Sequence, residues 1–399
     1  MINNKRLIKL LIPSIAILLT YVTLIGNNEA YATNVPYSII YDDNVTSNMP
    51  TDVDTTSMSE QVTMANNTPT RPGFKYLGWC NVVPTNSDGT DLCTGGTSYQ
   101  PSATLPINQT GTGNNFHFYA MWKEPCAGQV KMQELTSSSI AALLPNEHST
   151  ATVCDTRDEE TYTIAKLKDD KYWMVENLNL AGGTSLSADD TDVTSAYISS
   201  FTTSNNLTKN GNTIVLPASD TAGFDTNNYS YVYNSSNKTN CGASGQNTPC
   251  YSYYSWDAAT LGSGRTIATE NTDAPYSICP KGWRLPTSGS DSSNEWKRGD
   301  FYKLATAYGA NLESDYYEGT STFYNNVGPN TTVPKFLLAG SYHYDSLYDG
   351  GSLGFYWSST SSSNTANARD LYFGSSYVLS ANSNDRSSGF SVRCLFSGQ

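Results

Sequence analysis

Three histidines are the residues of this chain best suited to acid–base chemistry near neutral pH, and they lie in unrelated contexts: His117, His148 and His343. A Ser–His–Asp arrangement is compatible with the spacing, but the Gly-x-Ser-x-Gly nucleophile motif does not occur. His343, in the segment SYHYDSLYD, is the strongest catalytic candidate. We expect a protein that is not an enzyme, with a secreted hydrolase or modifying enzyme as the alternative.

Carboxylates near the C-terminus are the other candidates for chemistry, because calcium prefers several hard oxygen ligands. The acidic residues concerned are Asp345, Asp349, Asp370 and Asp385. No Cys-x-x-Cys occurs, and the histidines are scattered, which argues against a zinc site. We expect neither a metal site nor a cofactor, and a structural calcium ion remains as the alternative.

The chain has an even number of cysteines, and in an exported protein this predicts disulfide bonds rather than free thiols. The eight residues are Cys80, Cys93, Cys126, Cys154, Cys241, Cys250, Cys279 and Cys394. The simplest pairing joins sequence neighbours, and the last bond, Cys279–Cys394, then closes a loop of about 115 residues. Such a bond removes roughly 4–5 kcal/mol of unfolded-state freedom in a chain-entropy model. Long loops between these two cysteines can therefore be held on a rigid frame.

The N-terminus has the three parts of a signal peptide. Residues 1–9 carry three basic side chains, residues 10–26 are mostly apolar, and residues 30–32 (AYA) supply small side chains where a signal peptidase cleaves. We expect residues 1–32 to be a signal peptide and the protein to be secreted or held at the cell envelope. An uncleaved anchor is the alternative, because the apolar run is long.

Composition narrows the class of partner. The formal charge is −13 and only 15% of the residues are charged, so the basic clusters that nucleic acids and anionic membranes require are missing. The 28 tyrosines are too much aromatic surface for a disordered chain. We expect an extracellular protein or glycan, on another cell or in the envelope, as the partner. Nucleic acid and, for the mature form, membrane are excluded.

Residues 341–388 are the best candidate for the binding surface, because they are mostly Ser, Asn, Tyr, Asp and Gly. Tyrosine gives large, stiff contact area, and small polar residues adapt to the partner, as in antibody paratopes. The predicted ligand-binding residues are Tyr342, Tyr344, Tyr348, Asn364, Asn382, Asn384 and Arg386.

Two segments indicate how the chain is built before its last third. Residues 161–178 read as a hairpin with a turn at Asp169–Lys171, and Asp155, Arg157 and Asp158 before it form a turn with a structural Arg–carboxylate pair rather than an acid–base cluster. Residues 181–240 are rich in Ser, Thr, Asn and Asp, and we interpret them as an inserted polar loop with one strand near Thr213–Leu216.

The last third shows one helix and four strand candidates. Asp300 can cap a helix whose apolar residues recur with helical spacing, and Gly309 ends it. The apolar positions are Phe301, Leu304, Ala305 and Tyr308. The tripeptide Arg298-Gly299-Asp300 spells a cell-adhesion motif, which the helix start explains as coincidence. The strand candidates are Lys335–Ala339, Gly354–Ser358, Asp370–Phe373 and Phe390–Leu395.

Residues 33–123 contain, in order, the strand YSIIY, the segment RPGFKYLGW and the closing strand FHFYAMW. With these motifs the segment resembles the Listeria–Bacteroides repeat of bacterial surface proteins. The resemblance implies a small β-rich module that serves as a stalk or adhesive spacer.

Residues 124–399 contain six ordered motifs: MQELT, the hairpin ending in KYWMVENLNL, YYSWDAAT, CPKGWRLPT, FYWSST and GFSVRC. With these motifs the segment is similar to the Fibrobacter succinogenes major paralogous domain. The resemblance implies a variant of the C-type lectin fold, an α+β architecture with antiparallel strands and short helices. The family often has cysteine where this chain has Tyr172, which implies that the first disulfide is rerouted through Cys154. The function that follows is secreted or cell-surface binding and adhesion, with a purely structural envelope protein as a further alternative.

Overall fold

A computed structural model shows two compact units, one up to Ala127 and one from Gly128 onward. The described residues are 35–42, 47–108, 113–204, 206–219, 224, 230–235, 237–238, 241–265, 267–289, 295–312, 317–343 and 345–398. The predicted signal peptide, residues 1–32, lies outside them. No helix within these ranges is long and apolar enough to cross a membrane.

The first unit is built of strands. Their bounds are β1 (Val35–Asp42), β2 (Val53–Ser59), β3 (Val62–Thr63), β4 (Lys75–Cys80), β5 (Thr85–Ser87), β6 (Thr90–Leu92), β7 (Ser98–Tyr99), β8 (Thr104–Leu105) and β9 (Asn115–Lys123). The main sheet has the order β2-β1-β9-β4-β7, and β1 and β9 are parallel. β6 pairs with the C-terminal end of β9 through Thr90 and Lys123. β1 and β9 contain the predicted strands YSIIY and FHFYAMW.

Alternation along these strands turns one set of aromatic side chains inward, as the period of two requires. Trp79 and Phe118 are fully buried, and Tyr41 packs against Trp79 with ring centroids 4.9 Å apart. Gly78 has a φ of +129°, and a Cβ there would come within 2.7 Å of the Tyr99 carbonyl oxygen. The glycine of the Gly-Trp motif therefore lets β7 approach β4.

The second unit is mostly strand with a few short helices. Its strands are β10 (Thr150–Cys154), β11 (Thr161–Lys166), β12 (Tyr172–Met174), β13 (Ser185–Leu186), β14 (Thr208–Asn210), β15 (Thr213–Val215), β16 (Val232–Asn234), β17 (Ser252–Tyr254), β18 (Trp283–Arg284), β19 (Tyr317–Glu318), β20 (Ser341–His343), β21 (Ser346–Tyr348), β22 (Gly354–Ser361), β23 (Asn367–Gly374), β24 (Tyr377–Asp385) and β25 (Leu395–Phe396). The helices are α1 (Ser137–Leu143), α2 (Ser195–Ser200), α3 (Trp256–Ala259), α4 (Asp300–Ala307) and α5 (Thr322–Val327). Met132–Glu134 and Glu295–Arg298 are 3₁₀ turns.

Two sheets organise this unit. The first has the order β10-β11-β12-β25-β18, so the last strand lies between two earlier ones. The predicted hairpin is β11–β12, and the predicted turn at Asp169–Lys171 lies between these two strands. The second sheet, β19-β24-β23-β22, is antiparallel and contains two of the predicted strands. The architecture is thus β-rich with short helices, as an α+β class predicts.

Helix α4 packs against one face of the second sheet, and its buried residues have the predicted apolar spacing. Phe301, Leu304 and Ala305 are fully buried, and Gly309 follows the helix with a φ of +88°. The predicted cap is wrong in detail, because the N-cap residue is Gly299 and Asp300 is the first helical residue.

Residues 181–240 are not the loop insertion that their polarity predicted. The described part contains α2, β13, β14, β15 and β16, and the first three strands pair in the order β13-β15-β14. Its few apolar side chains are buried in the main core of the unit, namely Leu186, Val193, Ile198, Leu207, Ile214, Leu216 and Val232. Because most of its residues are polar, this segment was not predicted to supply core residues, and of its strands only the one near Thr213 was predicted.

Two predicted strands are mostly irregular. Lys335–Ala339 does not form a strand. The guanidinium of Arg393 donates to the carbonyls of Pro334 (2.8 Å) and Lys335 (2.6 Å), and the backbone amides of Phe336 and Leu338 donate to Val327 and Gly242. Phe390–Leu395 forms isolated bridges, and only its last residue enters β25. In both segments, side-chain hydrogen bonds and isolated backbone hydrogen bonds take the place of the regular hydrogen bonding between strands.

All eight cysteines are disulfide-bonded. The bonds Cys80–Cys93, Cys241–Cys250 and Cys279–Cys394 have Cα–Cα distances of 5.5, 5.5 and 5.7 Å. The neighbour pairing is confirmed for these three bonds.

Candidate binding surface

One face of the β19-β24-β23-β22 sheet carries tyrosines and carboxamides. Residues directly opposite one another on neighbouring strands project to the same face, and the register pairs Asp370 with Asn382, and Leu379 with both Tyr317 and Tyr372. We define the tyrosine–amide face as Tyr317, Asp370, Tyr372, Tyr377, Leu379, Asn382 and Asn384. The opposite face of the sheet packs on α4 and α5 through Leu371, Phe373 and Val378.

Asp370 lies at the centre of this face and is completely buried. The amide nitrogen of Asn384 donates to its carboxylate at 3.1 and 3.2 Å, and that of Asn382 at 3.3 and 3.4 Å. Burial raises the pKa of Asp370 to about 7, although the two amides and the charge of Arg369 oppose the rise. Both asparagine side chains are partly exposed and fixed in orientation by the same buried carboxyl group.

The tyrosines form the other half of the face. The hydroxyls of Tyr372 and Tyr377 are 2.7 Å apart, and the ring of Tyr372 stacks on Phe355 with centroids separated by 4.8 Å. Burial, with the Tyr377 hydrogen bond second, raises the pKa of Tyr372, so this hydroxyl stays uncharged at neutral pH. Tyr317 is 51% exposed on the edge strand. The face therefore combines ring surface, hydroxyls and amides without an exposed charge.

The predicted binding residues are not brought together as one surface. Tyr342 is 5% exposed and packs within a tyrosine cluster, its ring 4.3 Å from that of Tyr233 and 5.0 Å from that of Tyr253. Its assignment to a binding surface is therefore corrected to a core position. Tyr344 lies outside the described residues.

Tyr348 and Asn364 are exposed but lie near opposite ends of β22, which separates them by eight residues of strand, about 25 Å. Asn364 also closes the turn between β22 and β23, because its Oδ1 accepts from the amide of Ala366 at 3.0 Å. These two residues cannot contact one small ligand together.

Arg386 has a structural role. Its guanidinium lies 4.4 Å from the ring centroid of Trp256 and donates to the carbonyls of Asn367 (2.9 Å) and Ile267 (3.2 Å). Its role in ligand binding stays a prediction. Asn382 and Asn384 are the predicted residues that the structure does place side by side.

The calcium candidates are dispersed among different local structures. Asp370 is held by amides, and Asp385 accepts from the amide and hydroxyl of Ser387, both at 3.0 Å. Asp345 and Asp349 flank β21. Among the described residues, no group of three or more His, Cys, Asp or Glu side chains is arranged to hold a metal ion.

The histidines have separate structural neighbours. His148 Nε2 is 2.8 Å from the Tyr308 hydroxyl, and His117 Nε2 is 3.2 Å from the Asp42 carboxylate. His343 Nδ1 lies 3.4 Å from the hydroxyl of Ser388, which is completely buried. The serine hydroxyl within hydrogen-bond distance of His343 is therefore buried.

The adhesion tripeptide is not presented to solvent as such. Asp300 is 3% exposed, and its carboxylate forms ion pairs with Lys171 and Arg284 (2.7 Å to Arg284) and accepts from the Thr287 amide at 2.8 Å. The carboxylate that an adhesion receptor would bind is therefore buried and paired within the protein. This agrees with the interpretation of the tripeptide as a coincidence.

Sequence reasoning missed Tyr317, Tyr372 and Tyr377. The alternation of Asp370 with Tyr372 and of Asn382 with Asn384 was visible, and it places each pair on one face of a strand. The strand register, which brings the two pairs together, was not readable from the sequence.

A family model described as Domain of unknown function (DUF8237) matches residues 319–395, a segment that contains β20 to β24 and most of the tyrosine–amide face. No curated protein matches this chain. No solved structure matches it either.

Proposed function

We propose that this chain is an exported binding or adhesion protein that recognises an extracellular glycan or protein through the tyrosine–amide face. The observation that carries the proposal is an uncharged array of partly exposed rings and amides, held in place by buried Asp370 on a sheet within the Cys279–Cys394 loop.

The chemistry of this face suits neutral, hydroxyl-rich partners. Tyrosine rings offer flat apolar surface with a polar rim, and carboxamides both donate and accept hydrogen bonds. Because Asn382 and Asn384 donate to Asp370, their side chains are ordered before a partner arrives, which reduces the entropy cost of binding.

Export and the C-type-lectin-like assignment belong to the same proposal. Four disulfides support an oxidising compartment. The placement of β25 between β12 and β18, tied by Cys279–Cys394, supports a fold closed by its own ends with loops presented from it.

Glycan arrays and cell-binding assays with the protein lacking residues 1–32 test the proposal. Asn384→Ala and Tyr377→Ala should reduce any binding signal about tenfold or more, since each removes contact area or hydrogen bonds from the face. Tyr348→Ala is the matched control, because that tyrosine is 46% exposed but lies outside the sheet. A signal that is lost with Tyr348→Ala and kept with both face variants would refute the tyrosine–amide face.

A further inference from the structure

A second candidate site is lined in part by Cys241, and none of its lining residues belongs to the tyrosine–amide face. It is a cavity of about 380 Å³ in the second unit. Its lining residues used below are Glu176, Lys238, Cys241, Tyr251 and Lys335. The volume is near the lower end for small-molecule pockets, about 300–1,000 Å³, and favours a small ligand.

Tyr251 is the most informative wall residue. The residue is 6% exposed as a whole, and no described residue forms a hydrogen bond with its hydroxyl. Burial, followed by the nearby Glu176 carboxylate, raises the pKa of Tyr251 to about 12, so the hydroxyl remains a donor at neutral pH. Tyr251 therefore lines the cavity with a hydroxyl donor that a ligand can use.

Charges of both signs accompany this hydroxyl. Glu176 uses Oε2 to accept from the Thr163 amide at 2.6 Å, and its second oxygen has no hydrogen-bond partner in the described ranges. Lys335 is exposed, and its ammonium forms no ion pair with a described carboxylate. Lys238 differs, because it pairs with Glu160. The cavity therefore offers one carboxylate oxygen and one ammonium that the protein does not neutralise.

The walls that carry these groups are firmly built. Arg393 is fully buried, donates to the carbonyls of Pro334 and Lys335, and also donates to Asn177 Oδ1 at 2.9 Å. Tyr251 and Lys335 both have left-handed backbones, with φ of +57° and +49°. Non-glycine residues held in this region are costly and cluster at functional sites, where the surroundings impose them.

We propose that this cavity binds a small zwitterion of the α-amino-acid class, whose ammonium faces Glu176 and whose carboxylate faces Lys335 and accepts from the Tyr251 hydroxyl. Each ligand charge then meets an opposite charge that is unpaired in the protein, and the unpartnered hydroxyl gains its acceptor. This site is independent of the tyrosine–amide face, so either proposal can fail alone.

The experiment titrates the disulfide-intact protein lacking residues 1–32 with the twenty common L-amino acids, one at a time, by calorimetry and by ligand-observed NMR. At least one amino acid should bind, and its N-acetyl and methyl-ester derivatives, which each lack one charge, should bind about tenfold more weakly or not at all. Tyr251→Phe and Glu176→Gln should weaken binding of the same amino acid several-fold.

Glu176→Gln retains an oxygen that can accept from the Thr163 amide, so the fold is preserved while the charge is removed. Lys335→Met should weaken binding, whereas Lys303→Met, which also removes an exposed lysine of the same unit, should not. Circular dichroism establishes that each variant is folded. Failure of all twenty amino acids to bind, or equal binding by Lys335→Met, Glu176→Gln and the unmodified protein, would overturn the assignment.

Discussion

The guanidinium of Arg157 and the carboxylate of Asp155 form an ion pair with Nη2 and Oδ2 2.6 Å apart and with both side chains entirely removed from solvent. Arg157 also donates to the Ile278 carbonyl at 2.6 Å, which joins the first hairpin to the segment before Cys279. The sequence predicted a structural Arg–carboxylate pair here, and this prediction is confirmed.

Removing one partner of this pair should be strongly destabilising. Arg157→Met leaves the Asp155 carboxylate buried without its counter-ion, and such changes cost about 3–5 kcal/mol. We expect that loss in the free energy of unfolding of the second unit, measured by urea denaturation. The control is Asp170→Asn, which breaks the exposed pair with Lys166 and should leave the midpoint nearly unchanged. Similar midpoints for both variants would show that the buried pair is not structural.

Asp370 should make the stability depend on pH. Its pKa is raised from 3.8 to about 7, so its contribution to stability is fully present below about pH 4 and is lost as the pH rises through 7. Asp370→Asn removes this dependence, because an amide does not titrate. The difference in unfolding free energy between wild type and variant should shift in favour of the variant from pH 4 to 7. Asp158 and Asp192, whose pKa values are also raised, cancel in the difference. A difference that stays constant with pH would contradict the burial of an uncharged Asp370.

Asp300 should act in the opposite direction. Although burial opposes it, the pairing with Arg284 and Lys171 lowers the pKa of this carboxyl to about 2. Its stabilisation is therefore present above the unfolded pKa of 3.8 and is lost as the pH falls through 2. Asp300→Asn should be less stable than wild type at pH 7, and the gap should close towards pH 2 in a denaturant titration. Persistence of the full gap at pH 2 would mean that the ion pairs are not its cause.

The Cys279–Cys394 and Cys80–Cys93 disulfides close loops of different size and should therefore differ in how much stability they contribute. The Cys279–Cys394 bond spans 115 residues and Cys80–Cys93 spans 13. Loop-closure entropy predicts losses of about 5 and about 3 kcal/mol when each pair is replaced by alanine. Thermal and urea unfolding of the two double variants measures this. Equal losses would indicate that native-state contacts, rather than unfolded-chain entropy, dominate.

Arg386 should affect stability more than binding. Arg386→Ala removes the stacking on Trp256 and the bonds to the carbonyls of Asn367 and Ile267, and we expect a loss of about 2 kcal/mol in unfolding free energy. In a binding assay at a temperature where the variant is folded, its affinity should remain close to wild type. A folded variant with abolished binding would restore the ligand role that the composition predicted.

The sequence predicted the features that rest on local pattern. The hairpin β11–β12 alternates along its strands, and α4 repeats its apolar residues every three or four positions, so both were recognisable without tertiary information. Cysteine order gave the disulfide pairing because the bonded residues are neighbours along the chain.

What the sequence could not give depends on long-range register and on burial of isolated residues. Leu186 and Leu207 are each flanked directly by polar residues, yet both are buried, and no periodicity marks such positions. Tyr342 has the composition of a binding loop but enters a tyrosine cluster that forms only when distant segments meet. The contact of Asn384 with Asp370 likewise requires the pairing of β23 with β24.

The position of β25 has a consequence for synthesis. Trp173 pairs with Leu395, and Leu395 pairs with Arg284, so the place between β12 and β18 stays empty until the ribosome has passed residue 396. Earlier strands emerge long before their neighbour and must wait as an incomplete sheet. A nascent chain stalled before this point would expose two unpaired edges and be a target for chaperones or proteases, whereas the finished chain would not.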